Sequence, residues 1–264
     1  MLGEKKEFGN SEVIFEREIK MKVIILAGGF ATKLYPITEN EPKGLLEIGS
    51  RSIVGNLISN FSSTRRVDEY IVVSNHKFCA QFAQRANSRK EKITVLDDGA
   101  TEKANIYGAV RDIQLAIKEC NIDEDCIVVA SDLLFDFSFV SFIDYSIRKG
   151  TTCCMRYYEE NELKLHRVTV ADVGFDDKVK KLVYKPRDVF SNWCIPNLYY
   201  FKKEDLMLVD EALENGVDPD SFGQFAEYVS QKSPIYSVEM PGLHMRITNE
   251  ASLIKARKSF NPFS

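Results

Sequence analysis

Short apolar runs alternate along this chain with stretches whose apolar residues recur every three to four positions, and that rhythm predicts the elements. Val23-Ile24-Ile25-Leu26 is an unbroken apolar run, the mark of a strand buried on both faces. Residues 52–61 place Ile53, Leu57, Ile58 and Phe61 at helical spacing. Residues 69–74 read as a second buried strand, 77–86 as a second helix and 92–96 as a short strand. The clearest amphipathic helix covers 105–120, with Ala109, Ile113, Ala116, Ile117 and Cys120 on one face. Residues 126–130 form a third buried strand ending at Ser131-Asp132, and 139–148 a further helix. This alternation predicts an α/β fold, a doubly wound, mostly parallel sheet in three α/β/α layers. Ligands of such sheets bind beyond the carboxyl ends of the strands, which puts Gly28-Gly29 and Asp132 on one edge.

After Gly150 the rhythm shifts to strands. Residues 151–158, 167–173, 178–184 and 197–201 read as strands, with a turn at 174–177. Residues 204–214, 221–231 and 249–260 read as helices. Residues 1–20 are polar apart from Val13-Ile14-Phe15, and are read as an N-terminal extension, with Met21 as an alternative start. That leaves 21–264 as one domain.

A chain of 264 residues with 44% hydrophobic and 28% charged side chains has ordinary globular composition and buries a substantial core. Its net charge of −4 excludes a general nucleic-acid binder, which carries a basic surplus. No apolar stretch reaches membrane-spanning length and none resembles a signal peptide, so a cytoplasmic location is expected, with no membrane partner. The six cysteines (79, 120, 126, 153, 154 and 194) contain no C-x-x-C pair and read as reduced thiols. Cys153 and Cys154 are adjacent in a strand and point to opposite faces. The three histidines, His76, His166 and His244, are scattered and advertise no metal site.

Chemistry concentrates where the first strand breaks into Ala27-Gly28-Gly29. A loop of small residues lets phosphate approach backbone N–H groups, and Lys33 and Lys43 can neutralise a polyphosphate. Neither G-x-x-x-x-G-K-[ST] nor G-x-G-x-x-G is present. Asp132 sits at the mouth of the sheet, where a carboxylate suits a hard divalent cation or caps the following turn.

The stretch from Leu26 to Ile48 resembles the opening of the sugar-phosphate nucleotidylyltransferases, L-A-G-G-x-G-T-R-L-x-P-x-T-x-x-x-P-K-x-L-x-x-I. Leu26, Ala27, Gly28, Gly29, Thr32, Leu34, Pro36, Thr38, Pro42, Lys43, Leu45 and Ile48 are in register, while Ala31 replaces a Gly and Lys33 an Arg. The resemblance extends to about Phe260. It implies nucleotidyl transfer from an NTP or dNTP to a sugar phosphate or other phosphorylated small molecule, with Mg²⁺ as cofactor and a role in sugar nucleotide biosynthesis. A β-rich acceptor-pocket half is implied after Gly150. A catalytically degenerate relative that binds nucleotide or sugar nucleotide is the second reading, and a homo-oligomer stays open.

Residue by residue, the resemblance gives nucleotide contacts to Leu26, Ala27, Gly28, Gly29, Ala31 and Thr32, base reading to Lys103 and base stacking to Gly108. Taken alone, Gly108 reads equally as a helix-start glycine. The resemblance assigns Mg²⁺ to Asp132 and the acceptor's phosphate to Lys185, so that Lys33, Lys43, Asp132 and Lys185 are the expected catalytic residues. On the acceptor side Arg167 and Asn197 stand where the family has Gly, and Tyr184 where it has Glu. Arg246 stands where the family has the Asp that is the second metal ligand. An Arg there is expected to bind a substrate phosphate, with Asn249 able to offer an oxygen in its place.

Overall fold

The computed structural model describes residues 20–261. Apart from Lys20, the expected extension lies outside the described residues. The strands of the first half are β1 (Met21–Ala27), β2 (Val67–Ser74), β3 (Ile93–Asp97), β4 (Cys126–Ala130) and β5 (Leu133–Phe135). The second half contributes β6 (Cys153–Tyr158), β7 (Thr169–Val173), β8 (Val179–Tyr184), β9 (Trp193–Ile195), β10 (Leu198–Phe201), β11 (Tyr236–Glu239) and β12 (His244–Arg246). The main helices are α1 (Ile53–Ser62), α2 (His76–Asn87), α3 (Ala109–Glu119), α4 (Val140–Lys149), α5 (Phe222–Lys232) and α6 (Glu250–Ser259).

One ten-stranded sheet runs β8-β7-β9-β6-β10-β4-β1-β2-β3, with β11 added beside β6. Strands β4, β1, β2 and β3 are parallel to one another, as the strand–helix alternation requires. From β10 to β8 the ladder is antiparallel, which is the β-rich second half. Leu26 pairs with Ala130 and with Val73, so β1, β2 and β4 end level at one carboxyl edge.

Period-two alternation divides the core. Val23 and Ile25 join one buried cluster, and Ile24 and Leu26 the other, on the opposite face of the sheet. Cys153 and Cys154 divide the same way, and all six cysteines are free thiols. Each fully buried Val, Leu or Ile contributes about 1.5–3 kcal/mol, so the two clusters hold this edge rigid. Helix starts are locally specified. Ser52 Oγ accepts the Gly55 N–H at 3.0 Å, and Asn75 Oδ1 accepts the Phe78 N–H at 3.1 Å.

Three expectations shift. The helix expected over 105–120 begins only at Ala109, because Gly108 has φ +101 and cannot continue it backwards. A Cβ at Gly108 would lie 2.6 Å from the Pro219 carbonyl oxygen. Packing against that backbone therefore demands glycine. Residues 204–214 divide into two short helices, Lys203–Leu206 and Val209–Glu214. The three-residue strands β5, β9 and β12, and the four-residue β11, were not foreseen.

Candidate active site

The loop after β1 is tied to the sheet edge by Asn75, whose Nδ2 donates to the Gly28 carbonyl at 3.0 Å. A Cβ on Gly29 would meet nothing within 4 Å, so its exposed backbone is open to a ligand. Ala31 holds φ +50, the left-handed conformation the family's glycine adopts freely. Its carbonyl is fixed by the Thr38 hydroxyl at 2.9 Å and the Leu34 N–H at 2.9 Å. Thr32 and Lys33 belong to the 3₁₀ turn Thr32–Leu34, and Lys33 is exposed.

Asp132 is the centre of the site. Strand β4 delivers it to the carboxyl edge, where the Ser131 N–H donates to the Leu26 carbonyl at 3.0 Å. The short antiparallel pair β5–β12 sets Arg246 opposite Leu133, and the Ile247 N–H donates to the Asp132 carbonyl at 2.9 Å. Lys43 reaches the same place from the 3₁₀ turn Lys43–Leu45. Lys43 Nζ and Arg246 Nε both donate to Asp132 Oδ2, at 2.9 and 3.2 Å. The Asp132 side chain is only 8% exposed. Burial pushes its carboxyl up, but the charges and hydrogen bonds of Lys43 and Arg246 outweigh that and hold it at about 2. Asp132 Oδ1 is buried without a partner. Asp132, above all, raises Arg246's already high value.

These three residues line a cavity of about 290 Å³ that also contains Leu26, Ala27, Gly28, Gly29 and Gly108. Tyr184 and Asn197 face the same cavity. Arg246 is shared with a second cavity, where Arg167 and Lys255 lie. Lys185 is exposed, holds φ +52, and sets its Nζ 4.6 Å from the Tyr184 ring centroid.

Several expected residues are not brought in. Ala31, Thr32, Lys33, Lys103 and Lys185 stay off the cavity lining, and Lys103 is exposed on its own 3₁₀ turn. Asn249 offers no oxygen to a ligand. Its Oδ1 accepts the Ser252 N–H at 2.9 Å as the N-cap of α6.

The expected Mg²⁺ site meets a donor set of the wrong chemistry. One carboxylate faces two fixed cations, and no group of three or more His, Cys, Asp or Glu side chains suited to a metal exists among the described residues. The cluster carries net positive charge before any metal arrives, whereas Mg²⁺ favours an oxygen-rich, anionic shell. The residues present do not fit the two-carboxylate site, and Arg246 is the reason.

Sequence reasoning missed three carboxylates. Asp112 and Asp220 line the cavity, and Asp98 stands behind Gly28. Asp112 was detectable. It lies three residues after Ala109 and four before Ala116, a charge on the inward face of an amphipathic helix.

A level sheet edge, an open glycine loop and converging cations form an α/β site whose chemistry suits a phosphate-bearing ligand. Residues 22–245 match the nucleotidyl transferase family model, and the chain belongs to that family. Mannose-1-phosphate guanyltransferases from Kluyveromyces lactis and Saccharomyces cerevisiae are 24% and 22% identical to it, each match covering 86% of this chain. The chain spans about three fifths (61%) of the length of these curated relatives. A UDP-glucose pyrophosphorylase bound to UDP-glucose has the same fold, with TM-score 0.76, 13% identity, and 90% and 97% of the two chains covered. So does a CTP:phosphocholine cytidylyltransferase from Streptococcus pneumoniae, with TM-score 0.72, 18% identity, and 91% and 99% covered. Among the described residues no helix is long and apolar enough to cross a membrane.

Proposed function

We propose that this chain transfers a nucleotidyl group from an NTP to a sugar phosphate and releases pyrophosphate. The observation that carries this reading is the convergence of Lys43 and Arg246 on buried Asp132, inside the cavity that holds the glycine loop. An acceptor phosphate oxygen attacks the α-phosphorus, the α–β bridging P–O bond breaks, and pyrophosphate leaves with the electron pair. The attacking group is already anionic, so the protein needs only to position it and to neutralise charge. Gly28 and Gly29 present backbone to the triphosphate. Lys43 and Arg246 supply positive charge at the reacting phosphates, and Asp132 fixes both cations. Tyr184 and Asn197 shape the acceptor side of that cavity, and Arg167 lines the neighbouring cavity that shares Arg246. The relatives' names make GTP and mannose 1-phosphate the first pair to assay.

Pyrophosphate release is the test. Wild-type chain is expected to release it with one NTP and one sugar phosphate, and Arg246→Ala is expected to slow it at least tenfold, about 1.4 kcal/mol. Arg246→Asp is expected to gain stabilisation by MgCl₂ without nucleotide, and the wild type is expected to show none. Nucleotide binding without release against any acceptor overturns the enzymatic reading in favour of a binding role.

A further inference from the structure

A second cavity, of about 700 Å³, adjoins the glycine-loop cavity and shares Arg246 with it. It is more than twice the size of its neighbour and falls within the span of about 300–1,000 Å³ usual for small-molecule sites. Arg246 stands at the junction. Its Nε donates to Asp132 at 3.2 Å, so the terminal amino groups of the fork remain to meet a ligand. One wall is aromatic. The Tyr157 and His244 ring centroids lie 4.0 Å apart, and His244 stacks on Phe135 at 6.3 Å. The charge on the other walls is uneven. Glu159 holds Lys164 at 2.8 Å, Asp177 holds Arg156 at 3.0 Å, and Glu239 stands opposite Arg156 in the β11–β6 register. Arg167 and Lys255 line the same cavity, and neither pairs with a carboxylate among the described residues. Both rise from fixed backbone. The Arg167 N–H donates to the Lys164 carbonyl at 2.9 Å. Lys255 lies on α6 three residues past Ser252, whose hydroxyl accepts the Thr248 and Asn249 N–H groups at 2.9 and 3.0 Å.

We propose that the acceptor carries a second acidic group besides the phosphate that attacks, and that Arg167 and Lys255 bind it. The proposal rests on the nucleotidyl-transfer reading and names its acceptor class, a sugar phosphate bearing a carboxylate or a further phosphate. With the attacking phosphate at Lys43 and Arg246, the body of the acceptor extends past Arg246 into the larger cavity. The apolar face of its ring has the Tyr157–His244 wall to pack on. A neutral hexose would leave Arg167 and Lys255 without a counter-charge. An anion there receives a charge-assisted hydrogen bond from each, and a carboxylate or phosphate can take two from the planar fork of Arg167.

The test titrates the full chain calorimetrically, without NTP, with glucose 1-phosphate, glucuronic acid 1-phosphate and glucose 1,6-bisphosphate. At least one of the two acidic ligands is expected to bind about tenfold more tightly than glucose 1-phosphate, and the better of them tells carboxylate from phosphate. Arg167→Gln, Lys255→Gln is expected to erase the difference. Both side chains are exposed, so the fold should survive the change. Arg167→Glu, Lys255→Glu is expected to turn the preference toward glucosamine 1-phosphate, whose ammonium reverses the charge. No tighter binding of either acidic ligand by the wild type overturns the assignment. So does a preference that survives in a folded Arg167→Gln, Lys255→Gln chain, because Lys43 and Arg246 alone would then account for it. Pyrophosphate release separates this proposal from the reading it rests on. Release from glucose 1-phosphate as fast as from the acidic acceptors overturns the acceptor class and leaves nucleotidyl transfer standing. Charge-dependent binding with no release from any NTP keeps the acidic ligand's site and overturns transfer.

Discussion

At the scale of single residues, one carboxylate decides the chemistry of the site. Asp132 keeps its charge in a buried place only because Lys43 and Arg246 donate to it. Its folded value, about 2, lies below its ordinary 3.8. A depressed carboxylate contributes stability that is present above the unfolded value and is lost as pH falls through the folded one. The contribution is about 2 kcal/mol, present above pH 4 and lost toward pH 2. Urea midpoints measured from pH 5 to pH 2 are expected to fall in that window for the wild type. Arg246→Gln removes one cation and raises the Asp132 value, so its fall is expected to begin at higher pH. Parallel pH profiles for the two proteins would remove Arg246 from the account. The same residue separates what could be read in advance from what could not. Asp132, Lys43 and the two glycines follow from a strand-and-loop pattern and a long motif match. The contact between Arg246 and Asp132 joins positions 114 residues apart and has no local signal.

At the scale of elements, legibility follows length. Strands β1, β2 and β4 and helices α1 to α6 each bury a periodic face, and the sequence pattern locates them to within a few residues. The pair β5–β12 is three residues on each side, too short for any period to register, yet it is what turns Arg246 onto Asp132. Its far side is held by α6, whose N-cap Asn249 exchanges hydrogen bonds with Ser252 at 2.9 and 3.0 Å. Leu253 and Ala256 of that helix pack with Leu134 and Ile247 in one buried cluster. Asn249→Ala is expected to cost about 1 kcal/mol of unfolding free energy. Nucleotide affinity is expected to stay unchanged, because Asn249 caps a helix and touches no cavity wall. An Asn249→Ala chain of full stability with weakened NTP binding would return Asn249 to the ligand site. The position of the expected base reader Lys103 has a related cause. Gly108 breaks the helix, and Lys103 falls on a separate turn that faces solvent.

At the scale of the whole molecule, the sheet is continuous from β3 on the nucleotide side to β8 on the acceptor side. Strand β10 joins the halves, pairing with β4 on one edge and β6 on the other. Both apolar clusters cross that joint. Leu198 and Tyr200 pack in the one that holds Val23, and Tyr199 and Phe201 in the one that holds Ile24. The two large clusters are shared by both halves, with only a small one, Leu165, Val170 and Cys194, confined to the second, and we propose that the described domain unfolds as one cooperative unit. A ligand held at Gly28–Gly29 then stabilises the acceptor half as much as its own. Saturating nucleotide at about 100 times its dissociation constant adds about 2.7 kcal/mol. For a chain of this length that raises the midpoint by roughly 5–10 °C. Scanning calorimetry is expected to show a single transition that moves as a whole when nucleotide is added. Two transitions, of which only one moves, would show that the strand-rich half folds on its own and that β10 is a boundary.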